Sequence, residues 1–131
     1  MIRARYLSLS IVVAFIVAGA AAEAQDNKAR AARRESIEAQ LMAAQATLRE
    51  AEANLERAVA LGKRLAISQD ELDHARIAAA RSRIEFELIT ILQIQTRMLE
   101  RLEDLLAKGA VAKEDVDKAR QALEKTEKRL R

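Results

Sequence analysis

LERAVALGKRLAISQDELDHA, residues 55–75, is the stretch that decides how this chain folds. Its first half continues a strong helical pattern and its second half starts a new one. Ser68 and Glu71 stand three apart just after Leu65, Ala66 and Ile67. That is the spacing of a capping box, in which the serine hydroxyl and the glutamate carboxylate satisfy free backbone N–H groups at a helix start. One helix therefore ends near Arg64, the chain turns over 65–67, and a second helix begins at Ser68.

Working upstream, apolar and small residues step by four and three through Ile37, Leu41, Ala44, Leu48, Ala51, Leu55, Ala58 and Gly62. This is a heptad seam. Leucine alternating with alanine or glycine makes the stripe narrow and lets a second helix approach closely, while Arg49, Glu50, Glu52, Glu56 and Arg57 fall outside it. The first helix is expected over about 26–64. Downstream, a second narrow seam runs from Leu72 through Ala75, Ala79, Ser82 and Phe86 to Ile89, and Ile84 to Leu106 is apolar on a much broader arc. That breadth predicts two neighbours along this part and one elsewhere.

The second helix is expected over about 68–108. It closes at Gly109, which takes the left-handed conformation without steric penalty. A third helix follows over about 113–131, with its own seam of Val116, Ala119, Leu123, Thr126 and Leu130. It is about half as long as the second helix and matches the half that carries the wide stripe. The expectation is an all-α fold: a long antiparallel coiled-coil hairpin with a shorter third helix, up-down-up. Its tip is at 65–67 and its three-helix base is near Gly109. A continuous rod that merely tolerates Gly62 and Gly109 is the alternative.

The chain also repeats itself. A shift of 44 residues places Leu55, Glu56, Arg57, Leu61, Ala66, Asp73, Ala75, Arg76 and Ala78 on identical residues beginning at Leu99, Glu100 and Arg101. Ile67 with Val111, Asp70 with Glu114 and Glu71 with Asp115 are conservative matches. Each copy is a helix end, a turn and an acidic helix start, so the pattern reads as a duplicated helix-turn-helix unit.

Composition agrees with helix throughout. The 131 residues include no proline and three glycines, half are hydrophobic and 33% are charged. The frequent Ala, Leu, Glu, Arg, Lys and Gln are the strongest helix formers. Residues 7–22 carry no charge, follow Arg3 and Arg5, and end in Ala22, Glu23 and Ala24, the pattern of a cleaved secretory leader over 1–24. An uncleaved N-terminal anchor is the less favoured reading, because a spanning helix needs about 20 apolar residues. Removing 1–24 takes away Arg3, Arg5 and Glu23, which sum to +1, and lowers the net charge from +3 to +2.

So small a charge, alternating in sign and with Phe86 as the one remaining aromatic, does not suit nucleic acid, which calls for a concentrated basic patch and stacking rings. Without cysteine there is neither a disulfide nor a lipoprotein anchor. The expected location is outside the cytoplasm, in the periplasm if the source has one.

Residues 55–75, and less closely the second copy LERLEDLLAKGAVAKEDVDKA at 99–119, resemble the α-hairpin tip of periplasmic adaptor proteins. These are also called membrane fusion proteins of tripartite efflux pumps and type I secretion systems. In that family the tip carries Arg, three residues, Leu, six residues and Ser, and Arg57, Leu61 and Ser68 reproduce the spacing. The resemblance implies that Arg57 meets acceptors in the grooves of an outer-membrane channel's helical end. The second copy keeps Arg101 and Leu105, has Gly109 in its turn, and has Ala112 where Ser belongs. Adaptors also have lipoyl-like and β-barrel domains whose strands this sequence does not supply, so the resemblance is to the hairpin alone.

Physical roles follow from position as well. Leu61 lies one turn beyond Arg57 and packs the tip, Ser68 caps the returning helix, and Arg57 projects outward with a planar five-donor guanidinium suited to carbonyl and carboxylate acceptors. His74 sits beside Asp70, Glu71 and Asp73, but acids in a first helical turn are expected from the helix dipole alone, and no metal or other cofactor is expected. A thin coiled coil without a paired nucleophile and base, or a glycine-rich phosphate loop, offers no small-molecule pocket and no catalytic site. The expected function is a non-enzymatic interaction protein of the cell envelope whose tip contacts an outer-membrane channel. A Skp-like holdase chaperone and a structural, self-associating coiled coil are the alternatives.

Overall fold

The computed structural model describes residues 4–64 and 66–131, with side chains from residue 23 onward. Three helices follow in order: α1 Ala4–Lys63, α2 Gln69–Ala107 and α3 Lys113–Leu130. No strand occurs among the described residues. The fold is all-α, a hairpin followed by a shorter third helix, and the two breaks at 64–68 and 108–112 replace the continuous rod. α1 begins well before residue 26, where sequence pattern alone placed the first helix.

The chain divides into two compact units, Met1–Glu35 and Ser36–Arg131. In the first, Arg30 and Asp26 form an ion pair of 3.0 Å one helical turn apart. The leader expected over 1–24 falls mostly on residues whose side chains lie outside the described set, and residues 1–3 lie outside it altogether. Among the described residues no helix is long and apolar enough to cross a membrane.

Within the second unit the expected seams face inward. Ile37, Ala44, Ala79 and Ile89 are buried, and Leu41, Leu48, Ala51, Leu55, Ala58, Gly62, Leu72, Ala75, Ser82 and Phe86 are partly covered. Two cross-helix ion pairs set one antiparallel register between α1 and α2. Arg83 meets Glu52 at 2.6 Å, and Arg97 approaches Glu38 at 3.8 Å. Both pairs are solvent-exposed, so each contributes about 0–1 kcal/mol and serves alignment more than stability. Nearer the tip, a Cβ added at Gly62 would lie 3.6 Å from Leu72 Cδ2, so the two helices stay close there.

The base is where large apolar side chains collect. Ile37 of α1, Leu92 and Leu99 of α2, and Val116 and Leu123 of α3 form one buried cluster, with Leu102, Leu106, Val111, Ala119 and Leu130 packed against it. Full burial of side chains this size contributes about 1.5–3 kcal/mol each. Two buried hydroxyls are satisfied locally: Thr96 donates to the Leu92 carbonyl at 2.9 Å and Thr126 to that of Ala122 at 3.2 Å, the usual solution for threonine inside a helix. Arg120 of α3 bonds Glu103 of α2 at 2.9 Å and ties the third helix in register.

The broad arc of α2 is only partly accounted for by two neighbours. Leu92, Thr96, Leu99 and Glu100 are buried, whereas Ile84, Ile91, Ile94 and Met98 remain exposed. α1 and α3 occupy adjoining sides of α2 and leave a third side open.

Candidate functional site

The first turn is built by backbone hydrogen bonds at the end of α1. The Leu61 carbonyl accepts from the N–H groups of Arg64 and Ala66, both at 3.0 Å. The second of these spans five residues and closes the helix end in the manner of a Schellman motif. Ser68 then caps α2 in an extended conformation, φ −74°, ψ 159°. The Glu71 N–H donates to the Ser68 hydroxyl oxygen at 3.2 Å, and the Ser68 N–H donates to the Glu71 carboxylate at 2.8 Å. The capping box expected from spacing is therefore formed in full. The backbone bond from Ser68, followed by the Ser68 hydroxyl, holds the Glu71 carboxyl below its ordinary value of 4.5.

Arg57 and Leu61 stand one turn apart on the last turns of α1. Arg57 is exposed and has no ion-pair partner among the described residues. Leu61 is 42% exposed, more open than a packing role requires. Gly62 and Leu72 make the close approach at the tip instead. The tip thus offers a free guanidinium, an open leucine and a fixed turn. Lys63 and Arg64 beside them are exposed as well.

The second turn repeats one backbone bond of the first. The Ala110 N–H donates to the Leu105 carbonyl at 2.9 Å and the Gly109 N–H to that of Leu106 at 2.9 Å. The bond from Ala110 to Leu105 is the bond from Ala66 to Leu61 moved along by the repeat. Gly109 has φ +70°, the left-handed value anticipated for it. Ala112 occupies the N-cap of α3 and makes no side-chain bond there. Arg101 is exposed and Leu105 partly covered. The two sets of candidate residues lie at opposite ends of α2 and form two separate places rather than one site.

His74 is exposed. Among the described residues no group of three or more His, Cys, Asp or Glu side chains could hold a metal ion. Spacing did not single out the pairs Arg83–Glu52 and Arg97–Glu38, because each joins residues far apart in sequence. Their signal is the recurrence of Arg76, Arg83 and Arg97 at heptad steps beside the seam of α2.

Residues 33–85 match the family model described as RND MFP, alpha-helical hairpin domain. The match covers less than half of the chain and encloses the first turn. It takes in the α1 seam, the capping box and the narrow seam of α2 as far as Ser82, and it stops before Phe86, the second turn and α3. The hairpin resemblance read from residues 55–75 is borne out over that span. No curated protein and no solved structure gave a match.

Proposed function

We propose that this chain is a non-enzymatic interaction protein of the cell envelope, working as an adaptor-like hairpin whose first turn docks on the helical end of an outer-membrane channel. The observation that carries this reading is the hairpin-domain match over residues 33–85, which encloses a turn where Arg57 is unpaired and Leu61 is open to solvent. A guanidinium without an ion-pair partner among the described residues is available to carbonyl or carboxylate acceptors on another chain. An open leucine one turn away supplies apolar area to the same contact. Ser68 acts indirectly, because its cap fixes the path of the turn. The second turn, with Arg101, Leu105 and Gly109, supports the base. On this reading the protein is exported, and the segment 1–24 is its leader.

A photoreactive residue placed at Lys63 in the intact protein, followed by mass spectrometry of what it captures in cells, tests the proposal. Capture of one outer-membrane channel, lost in the Arg57→Ala, Leu61→Ala double variant, is the expected result. Capture of many unfolded envelope proteins, unchanged by the double variant, would establish a holdase instead. Capture of the chain's own copies alone would leave only a structural coiled coil.

A further inference from the structure

The segment 57–69, RAVALGKRLAISQ, carries Arg57, Lys63 and Arg64 and no acid, a formal charge of +3. It holds the last turns of α1 and the whole of the first turn. All three cations are exposed, and none has an ion-pair partner among the described residues. Seven residues of helix rise about 10 Å. That is comparable to the screening length of about 8–10 Å at moderate salt, so the three charges act as one patch.

The duplicated turn supplies the comparison. The residues 44 positions on, 101–113, carry Arg101, Lys108 and Lys113 but also Glu103 and Asp104, a formal charge of +1. Those two acids stand where the first turn has Val59 and Ala60, and Ala107 stands where it has Lys63. Glu103 is in addition bonded to Arg120 at 2.9 Å. Cations at a helix C-terminus are favoured by the dipole, yet α2 ends with no basic residue in its last turn. Ending a helix in this chain does not require them, and Arg57 lies too far before the end of α1 to serve the dipole at all. The acids that border the first patch on α2 are held by their own helix. Glu71 accepts from the Ser68 N–H at 2.8 Å, Asp73 bonds Arg76 at 3.0 Å and Gln69 at 3.2 Å, and Asp70 lies in the first turn of α2, where negative charge meets the helix N-terminus. On α1 the bordering acid is Glu56, exposed and just outside the segment.

We infer that the first turn recognises carboxylates: its partner is a protein surface whose Asp or Glu side chains meet Lys63 and Arg64, with Arg57 and Leu61 beside them. The inference rests on the docking proposed above and adds the chemistry of the surface docked upon. A guanidinium fits a carboxylate through paired N–H donors. An anionic membrane surface suits the turn less well. Leu61 is the one large exposed hydrophobic residue of 57–69 among the described residues, whereas a segment that rests in a lipid interface needs a whole apolar face. Exposed charges of this kind act chiefly on the rate of encounter, so binding weakens as salt is raised.

A polyglutamate peptide, offered to the full-length protein at low salt, is the probe. Lys63→Gln with Arg64→Gln is expected to weaken binding about tenfold or more. Lys108→Gln with Lys113→Gln removes the same charge at the second turn and is expected to cost no more than about twofold. All four sites are exposed, and retained helical circular dichroism verifies the fold of each variant. Equal losses from the two pairs would overturn the inference, because charge anywhere on the chain would then suffice. So would binding to phosphatidylglycerol vesicles that falls with the first pair while polyglutamate binding does not, which would make the partner a lipid surface. A photoreactive residue at Ala66, used in cells, separates this inference from the docking itself. A captured channel that is lost with Lys63→Gln, Arg64→Gln supports both, and a channel captured undiminished overturns the inference while the docking stands. No captured channel, with the polyglutamate result as expected, keeps the acidic partner and removes the channel.

Discussion

The two turns share one five-residue backbone bond and differ in how they finish the helices on either side. At the first, the returning helix is held by side chains, Ser68 and Glu71, each bonding the other's N–H. At the second, a left-handed glycine ends α2, and α3 starts at Ala112 with no side-chain cap. The five-residue bond from Ala66 to Leu61, repeated from Ala110 to Leu105, is common to both. The path of a duplicated turn is thus kept by main-chain hydrogen bonding, and the side chains around it are free to specialise. The first turn carries a carboxylate that bonds the N-cap, and the second carries a left-handed glycine.

That contrast can be broken most forcefully at Gly109. A Cβ there would meet no atom within 4 Å, so any cost of substitution is backbone strain alone. Gly109→Val is expected to lower stability by about 2 kcal/mol, read as a fall in the urea midpoint of helical circular dichroism. A loss under about 0.5 kcal/mol would mean that the second turn does not rely on the left-handed conformation.

A smaller pair of effects exchanges the caps. Ser68→Ala should cost about 1 kcal/mol, and Ala112→Ser should add somewhat less than that, because it gives α3 the hydroxyl acceptor that its first N–H groups lack. Denaturant curves for both variants check the prediction. Equal and opposite shifts would show that the turns are interchangeable in their energetics. No gain from Ala112→Ser would show that the uncapped end is already satisfied by water.

The smallest expected effect is a pH dependence confined to the first turn. Glu71 has its carboxyl below the ordinary value of 4.5 in the folded chain. The stabilisation it gives is therefore complete above about 4.5 and is lost as pH falls below that, through the lowered folded value. Glu71→Gln keeps the side-chain shape and removes the titration. It should flatten the acid limb of stability measured between pH 5 and 2, to an extent about matching one exposed, charge-assisted bond. An unchanged acid limb would place the pH sensitivity elsewhere.

Much of this architecture can be read directly from residue spacing. Ile37 to Gly62 and Leu72 to Ile89 each announce a seam because alternating steps of four and three leave only one side for a neighbour. Ser68 with Glu71, and Gly109, mark the helix ends because each has a local backbone purpose. The open side of α2 is not legible in this way. Ile84 to Leu106 reads as one wide apolar arc, and nothing in the arc distinguishes Leu92 and Leu99, which are buried, from Ile91 and Met98, which are not. That distinction depends on where α3 lies, set by Arg120 with Glu103 and by the packing of Val116 and Leu123. At the tip, Arg57 and Ser68 are found where spacing puts them. The openness of Leu61 and the close approach of Gly62 to Leu72 are three-dimensional facts that no local pattern carries.

The alanine seam also sets how the molecule moves. Outside the base cluster the buried positions are Ala44, Ala79 and Ile89, two of them alanines that remove little apolar area from water, whereas the base buries isoleucine, leucine and valine together. Local opening costs least where buried apolar contact is sparse. Amide hydrogens of α2 near residue 75 therefore exchange with solvent sooner than those near residue 99. The hairpin is expected to loosen from its far end inward while its base stays closed, so that the first turn has a compliance the base does not have.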